Sequence, residues 1–288
     1  MRFEDFARAH GLLVTSITPG KWVSVPTEDH PHKRNGRYKW LGDVGWVQNW
    51  ATMESPAMWR NSDTRAPTLR RVIVDAERER QQLAKKAASK AGWILHQCQP
   101  EVHPYLERKG FPDEVGNVWR TDSARLLVIP MRIGANLVGC QLINDDGQKR
   151  FLYGQQTKGA SFVFDAKGMP IFCEGYATAL SVRAVMKAMK IRYTIYVCFS
   201  AGNLQTVARS VAGGIVIADN DPNGVGEKAA RETGKPYWLG DTIGEDLNDY
   251  HSRVGLFKAM VDLKRVVLQG NLASGAGIAP QSASPVRV

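Results

Sequence analysis

Between residues 169 and 239 the chain alternates short continuous apolar runs with stretches in which apolar residues recur every three or four positions. The runs are PIFCE, YTIYVCF, GIVIADND and PYWL. Between them lie GYATALSVRAVMKAMK, a segment near LQTVARSVA, and GVGEKAARETG. Unbroken apolar runs suit strands buried on both faces, and the alternation predicts a parallel sheet with helices on each side.

Upstream the texture differs. HPYLERKGF opens with a short helix, and RLLVIPMRIGANLVGCQLI predicts two strands joined by a turn at Gly134-Ala135-Asn136. NDDGQKRFLYG adds a second turn and another strand, so residues 99–167 read as a small α+β unit. Residues 1–66 are turn-rich and hold five of the eight tryptophans, Trp22, Trp40, Trp46, Trp50 and Trp59. Short antiparallel strands and hairpins are expected there. Residues 68–92 are rich in strong helix formers and end in Gly92, read as a helix stop within a half-exposed helical linker at 67–98. The α/β domain is placed at 168–266. The Gly/Ser/Pro-rich segment from 267 to 288 is expected to be a disordered tail.

Charge adds a partner class. The net charge is +10, and 16 basic residues stand against 10 acidic ones in residues 1–90. A basic balance of this size favours a polyanion such as nucleic acid. Cys98, Cys140, Cys173 and Cys198 are too widely spaced for a zinc knuckle, and no zinc is expected; Cys140, Cys173 and Cys198 lie in apolar runs and read as small core residues. The N-terminus lacks a leader-like apolar core, and no run is long enough to span a bilayer, so a cytoplasmic protein with no membrane partner is expected. No G-x-x-x-x-G-K-[ST] motif is present, so no ATP-driven motor is encoded.

The candidate chemistry lies in three acidic clusters at or beyond predicted strand ends: Glu174 followed by Gly175, then Asp219-Asn220-Asp221, then Glu245 to Asp249. Ligands of open parallel sheets bind at the carboxyl ends of the strands, where such acids converge. Asp219 and Asp221, two apart in an extended segment, point the same way. Convergent carboxylates need a cation between them, and an all-oxygen set selects a hard ion, Mg²⁺ or Mn²⁺. Gly175 would let a phosphate approach the backbone at a helix N-terminus. Any one cluster alone is more simply a helix cap or a solvated loop; three in this order favour a site.

PIFCEGYATALS, IVIADNDPNGVGEKAA and GEDLNDYH, in that order, resemble the Toprim domain shared by bacterial-type primases, topoisomerases and some nucleases. The resemblance spans roughly residues 168–262, and FSAGNL resembles a loop of phage and plasmid Toprim primases. It implies Glu174 as general acid/base, Asp219 and Asp221 as metal ligands, and Asp246 and Asp249 as supporting acids. HPYLERKG and the strands after it look like the basic subdomain that precedes Toprim in such primases. That likeness implies phosphate contacts from Arg125, Lys149, Arg150 and Lys158. Lys149-Arg150 also fits a solvated hairpin turn, and Gln141 stands where cellular primases carry arginine. The N-terminal module occupies the place of a zinc ribbon without zinc ligands. Its Lys33, Arg34, Arg37, Tyr38, Lys39 and Trp40 suit single-stranded DNA by stacking and charge, and the aromatics suit a small β core equally well.

The fold expectation is therefore α/β: a Toprim domain, Rossmann-like with a mainly parallel sheet. A small basic α+β subdomain and a β-rich, Trp-rich N-terminal module precede it. The implied function is a primase-like nucleotidyltransferase of phage or plasmid type in a bacterial cytoplasm. It would use a single-stranded DNA template, NTPs and a separate replicative helicase. A Toprim nuclease and a non-catalytic single-strand-binding accessory are the alternatives.

Overall fold

The computed structural model describes residues 1–53, 55–61 and 66–273. Among the described residues the protein is mixed α/β with three sheets, and the chain falls into two compact units, Met1–Gln82 and Leu83–Val288.

In the first unit, α1 (Phe3–Ala9) precedes four antiparallel strands in the order β1-β2-β3-β4: β1 (Trp22–Val25), β2 (Gly36–Trp40), β3 (Val44–Asn49) and β4 (Ala57–Arg60). The hairpins match the sequence expectation; α1 is additional. Its signal is Phe3, Phe6 and Ala7 on one face, with Glu4 and Asp5 in the first turn and Arg8 in the last, as the helix dipole favours. Phe3 fills the core, edge-on to Tyr38 and Trp59 and stacked on Trp40. A side chain at Gly45 would collide with the Phe3 ring, so glycine lets the helix settle on the sheet.

α2 (Ala66–Gln97) runs past both the unit boundary and Gly92. Gly92 is not a stop because the apolar face continues beyond it: Ala87, Ala91 and Ile94 pack with Val128, Cys140 and Leu152. They cover one face of an antiparallel sheet ordered β5-β6-β7-β8-β9. Its strands are β5 (Gln99–Val102), β6 (Val115–Arg120), β7 (Arg125–Ile133), β8 (Asn136–Asn144) and β9 (Lys149–Phe151), with α3 (Pro104–Arg108) between β5 and β6. The β7–β8 turn falls at Gly134-Ala135, with Gly134 at φ 58°.

The third sheet has the order β10-β12-β11-β13-β14. β10 (Phe162–Asp165) joins antiparallel; β11 (Met169–Cys173), β12 (Tyr193–Val197), β13 (Ile215–Ala218) and β14 (Tyr237–Leu239) are parallel. The helices are α4 (Tyr176–Ala188), α5 (Ala201–Ser210), α6 (Val225–Glu232) and α7 (Leu247–Ala273), the last broken at Gly255. Strand alternation sends Ile171 and Cys173 toward α4 and α7, and Phe172 toward α5 and α6. Leu127, Ile129 and Ile143 of the antiparallel sheet join the α4–α7 core, so the two sheets share one hydrophobic interior.

Two sequence expectations change at the C-terminus. α7 was not foreseen, and it carries the first seven residues of the expected tail, 267–273, as helix, with Val267 buried in the shared core. Residues 274–288 of that tail lie outside the described residues. Among the described residues no helix is long and apolar enough to cross a membrane.

Gly92 lies inside a helix, and a Cβ there would make only ordinary contact with Leu137. Gly92→Ala is therefore expected to stabilise the protein by about 0.5–1 kcal/mol. Urea unfolding checks this; destabilisation would contradict the continuous helix.

Candidate functional site

β11 and β13 are neighbours, yet their connections diverge. The chain leaves β11 through α4 toward β12 on one side, and leaves β13 through α6 toward β14 on the other. Such a switch point opens a crevice at the carboxyl ends of the two strands. Glu174 is the first residue after β11 and Asp219 the first after β13. Gly175 is the N-cap of α4 and supplies no capping side chain, so the helix N-terminus is open beside Glu174.

The intervening residues fix this geometry. Asn220 accepts from Gly244 N at 2.6 Å, donates from its backbone to Glu245 O at 3.1 Å, and donates from its side chain to Gly240 O at 2.9 Å. These bonds draw the 240–245 loop to the end of β13. Asp246 then caps α7, accepting from Asn248 N at 2.7 Å and Asp249 N at 3.0 Å. Asp221 accepts from Gly226 N at 3.2 Å, and a Cβ on Gly226 would strike the Asp219 carbonyl. Asp249 pairs with Lys109 at 3.0 Å.

The acids act on one another. Burial, then the charges of Asp219 and Asp221, push Glu174 up to about 8, against a hydrogen bond from Ala201 N–H and the charge of Lys149. Burial, then Asp246 and Asp221, push Asp219 up to about 7, again opposed by Lys149. The five acids expected from the sequence thus share one electrostatic field; Lys149 acts on Glu174 and Asp219, and Lys109 on Asp249.

The other expected bases divide. Lys149 and Phe151 share one face of β9, while Arg150 points the other way; register places Lys149 opposite Ile143 and Phe151 opposite Gln141. Ile143 belongs to the interior shared with the parallel sheet, so Lys149 is the member of the Lys149-Arg150 pair on the crevice side. Arg125 pairs with Asp145 at 3.2 Å, and Asp145 also meets the buried His103. Lys158 is exposed on a loop held by Asn203, whose Oδ1 accepts from Gly159 N and whose Nδ2 donates to Ala160 O and Cys198 O, each at 2.7 Å. Asn203 belongs to the FSAGNL stretch, none of whose residues was assigned a role from the sequence.

In the N-terminal unit the six expected DNA-binding residues do not form one surface. Lys33 and Arg34 are exposed, and Arg37 lies between Trp22 (4.4 Å) and Trp50 (5.6 Å). Tyr38 is buried, donating to Ser16 O and accepting from Thr18 N. Lys39 is buried in an ion pair with Glu79, and Trp40 stacks on Phe3. Lys33, Arg34 and Trp50 are exposed, whereas Arg37 and Trp22 are half-buried and Arg37 donates to Gln48 Oε1 at 2.8 and 3.1 Å.

Buried polar atoms nearly always have partners. Among the described residues of the larger unit, four side-chain atoms have none: Tyr105 Oη, Thr178 Oγ1, Asp219 Oδ1 and Asn248 Oδ1. They sit on α3, the first turn of α4, the end of β13 and the first turn of α7. Asp219 Oδ1 is the carboxylate oxygen among them and suits a hard cation. Among the described residues no three His, Cys, Asp or Glu side chains form a ready-made cage. Hard ions such as Mg²⁺ bind through one or two carboxylates and complete their shell with water and substrate phosphate, which fits this donor set. The chain was compared with models of known protein families and matches none.

Raised carboxyl values set a pH dependence. The folded protein holds protons that the unfolded chain releases, so stability falls as pH rises from the ordinary carboxylate range through about 8. With divalent ions removed, wild type should lose thermal stability relative to Glu174→Gln between pH 5 and 8. A wild-type-to-variant difference that stays flat across that range would contradict the coupling.

Proposed function

We propose that the larger unit is a Toprim-type nucleotidyltransferase core and that the protein makes short RNA primers on single-stranded DNA. The observation that carries this reading is the meeting of Glu174 and Asp219 at the switch point. Burial raises the hold of both on their protons, Asp219 and Asp221 add to it at Glu174, Asp246 and Asp221 add to it at Asp219, and one Asp219 oxygen is buried without a partner. Carboxyls kept in that state suit a site completed by a divalent cation and a phosphate chain. The order of the three acidic motifs adds the family resemblance.

In this reading Asp219 and Asp221 hold Mg²⁺ or Mn²⁺, with Asp246 and Asp249 beside them. The ion supplies positive charge for the phosphate oxygens and for the attacking and leaving oxygens. Lys149 adds a charge-assisted bond to the same phosphates, and the open N-terminus of α4 at Gly175 offers backbone N–H groups. Glu174, with its proton affinity near neutrality, exchanges a proton with the reacting hydroxyl. Trp22, Arg37 and Trp50, with Lys33 and Arg34, contribute stacking and charge for an unpaired strand. A separate helicase in the bacterial cytoplasm supplies the strand, and phage or plasmid origin follows from the resemblance.

The test is synthesis of labelled oligonucleotides on unprimed single-stranded DNA with Mg²⁺ or Mn²⁺. Glu174→Gln and Asp219→Asn should each cut synthesis by at least roughly 100-fold while the fold is retained. Lys149→Ala should raise the KM for nucleotide roughly tenfold, the worth of one charge-assisted hydrogen bond. Wild-type rates in either acid variant would refute the assignment. Metal-dependent nicking without synthesis would mean that the same acids cut rather than join.

A further inference from the structure

Beside the acid crevice stands an aromatic group with no part in the chemistry above. Phe151 and Phe199 meet edge to face, their ring centres 6.2 Å apart. Phe151 remains 44% exposed and Tyr153, two residues on, 79% exposed. Single exposed aromatics are ordinary; a cluster at the mouth of a charged crevice is not.

Four observations orient this cluster. Phe151 shares its face of β9 with Lys149, the cation whose charge reaches Glu174 and Asp219. Phe199 donates its backbone N–H to the Glu174 carbonyl at 2.9 Å, so one ring of the pair is tied to the residue that carries the acid. Phe199 also holds φ at 69°, a left-handed conformation that is costly for a bulky aromatic and that gathers at ligand-binding places. Asn203, which accepts a hydrogen bond from Gly159 and donates to Cys198 O, fastens the neighbouring loop to the same turn. The rings are therefore held at the crevice mouth, next to the cation.

We infer that Phe151 and Phe199 form a shelf on which a nucleobase stacks while its phosphate chain reaches Lys149 and the acids. An aromatic ring accepts any base through its π-face. The shelf would thus confer a requirement for a base rather than a choice among bases. This rests on the reading of the acid crevice as a phosphate-handling site. The base can arrive on a nucleoside triphosphate or on a single strand, since both join a base to phosphate.

The experiment uses the full chain with Mn²⁺ and three probes: tripolyphosphate, 2-aminopurine riboside triphosphate, and a single-stranded oligonucleotide carrying 2-aminopurine. Stacking quenches 2-aminopurine fluorescence. Wild type should quench one or both base-bearing probes, and whichever is quenched identifies the source of the base. Phe151→Leu should weaken that probe's binding roughly tenfold and abolish the quenching, Phe151→Tyr should restore both, and neither should alter tripolyphosphate affinity. Tripolyphosphate binding with no quenching of either base probe, or quenching that survives Phe151→Leu, overturns the shelf and leaves the acid site standing. Failure of tripolyphosphate to bind at all removes the acid-site reading, and the shelf with it.

Discussion

Two carboxyl groups brought together in a half-dry crevice repel each other, and the fold around them is organised to hold that repulsion in place. Glu174 and Asp219 start the two connections that diverge from neighbouring parallel strands. Their backbones cannot separate without unpairing β11 and β13, whose side chains are buried on both faces. The response open to the side chains is to retain protons or to take up a cation. Burial first, then the neighbouring acids (Asp219 and Asp221 at Glu174, Asp246 and Asp221 at Asp219), pushes both toward neutrality, and Lys149 supplies partial relief.

The surrounding polar residues make sense as supports for this arrangement. Asn220 spends both its backbone groups and its side chain on tying the 240–245 loop to the end of β13, which delivers Asp246. Gly226 leaves room for the Asp219 carbonyl and gives its N–H to Asp221. Asn203 holds the 158–160 loop against the turn after β12. Each bond is modest alone, about 0.5–1.5 kcal/mol net, but a buried amide left unpaired costs more than it gains when paired. That asymmetry makes these asparagines specific to their places.

The antiparallel sheet matters because of its two faces. Val128, Cys140 and Leu152 take the α2 side, and Leu127, Ile129 and Ile143 take the interior shared with the parallel sheet. β9 inherits this alternation at its exposed end. Lys149 and Phe151 consequently fall on the side of the acids and Arg150 on the other.

The sequence by itself determined a good deal here. Periodicity revealed the strands and helices from 169 to 239, because each is buried in a repeating pattern that solvent cannot mask. The acids at the strand ends were legible for the same reason, since a charged residue closing an apolar run has nowhere to go but the end of the buried strand. The tertiary structure decided what local pattern does not encode. Gly92 resembles a stop but continues as helix, because the burial that holds it comes from a distant sheet. Tyr38 and Lys39 look like a basic-aromatic surface but are buried, one in the core around Phe3 and the other against Glu79. Which lysine faces the acids, and which asparagine clasps which loop, depend on strand register and long-range hydrogen bonds. Those are properties of pairs of residues far apart in the chain, and no single stretch of sequence carries them.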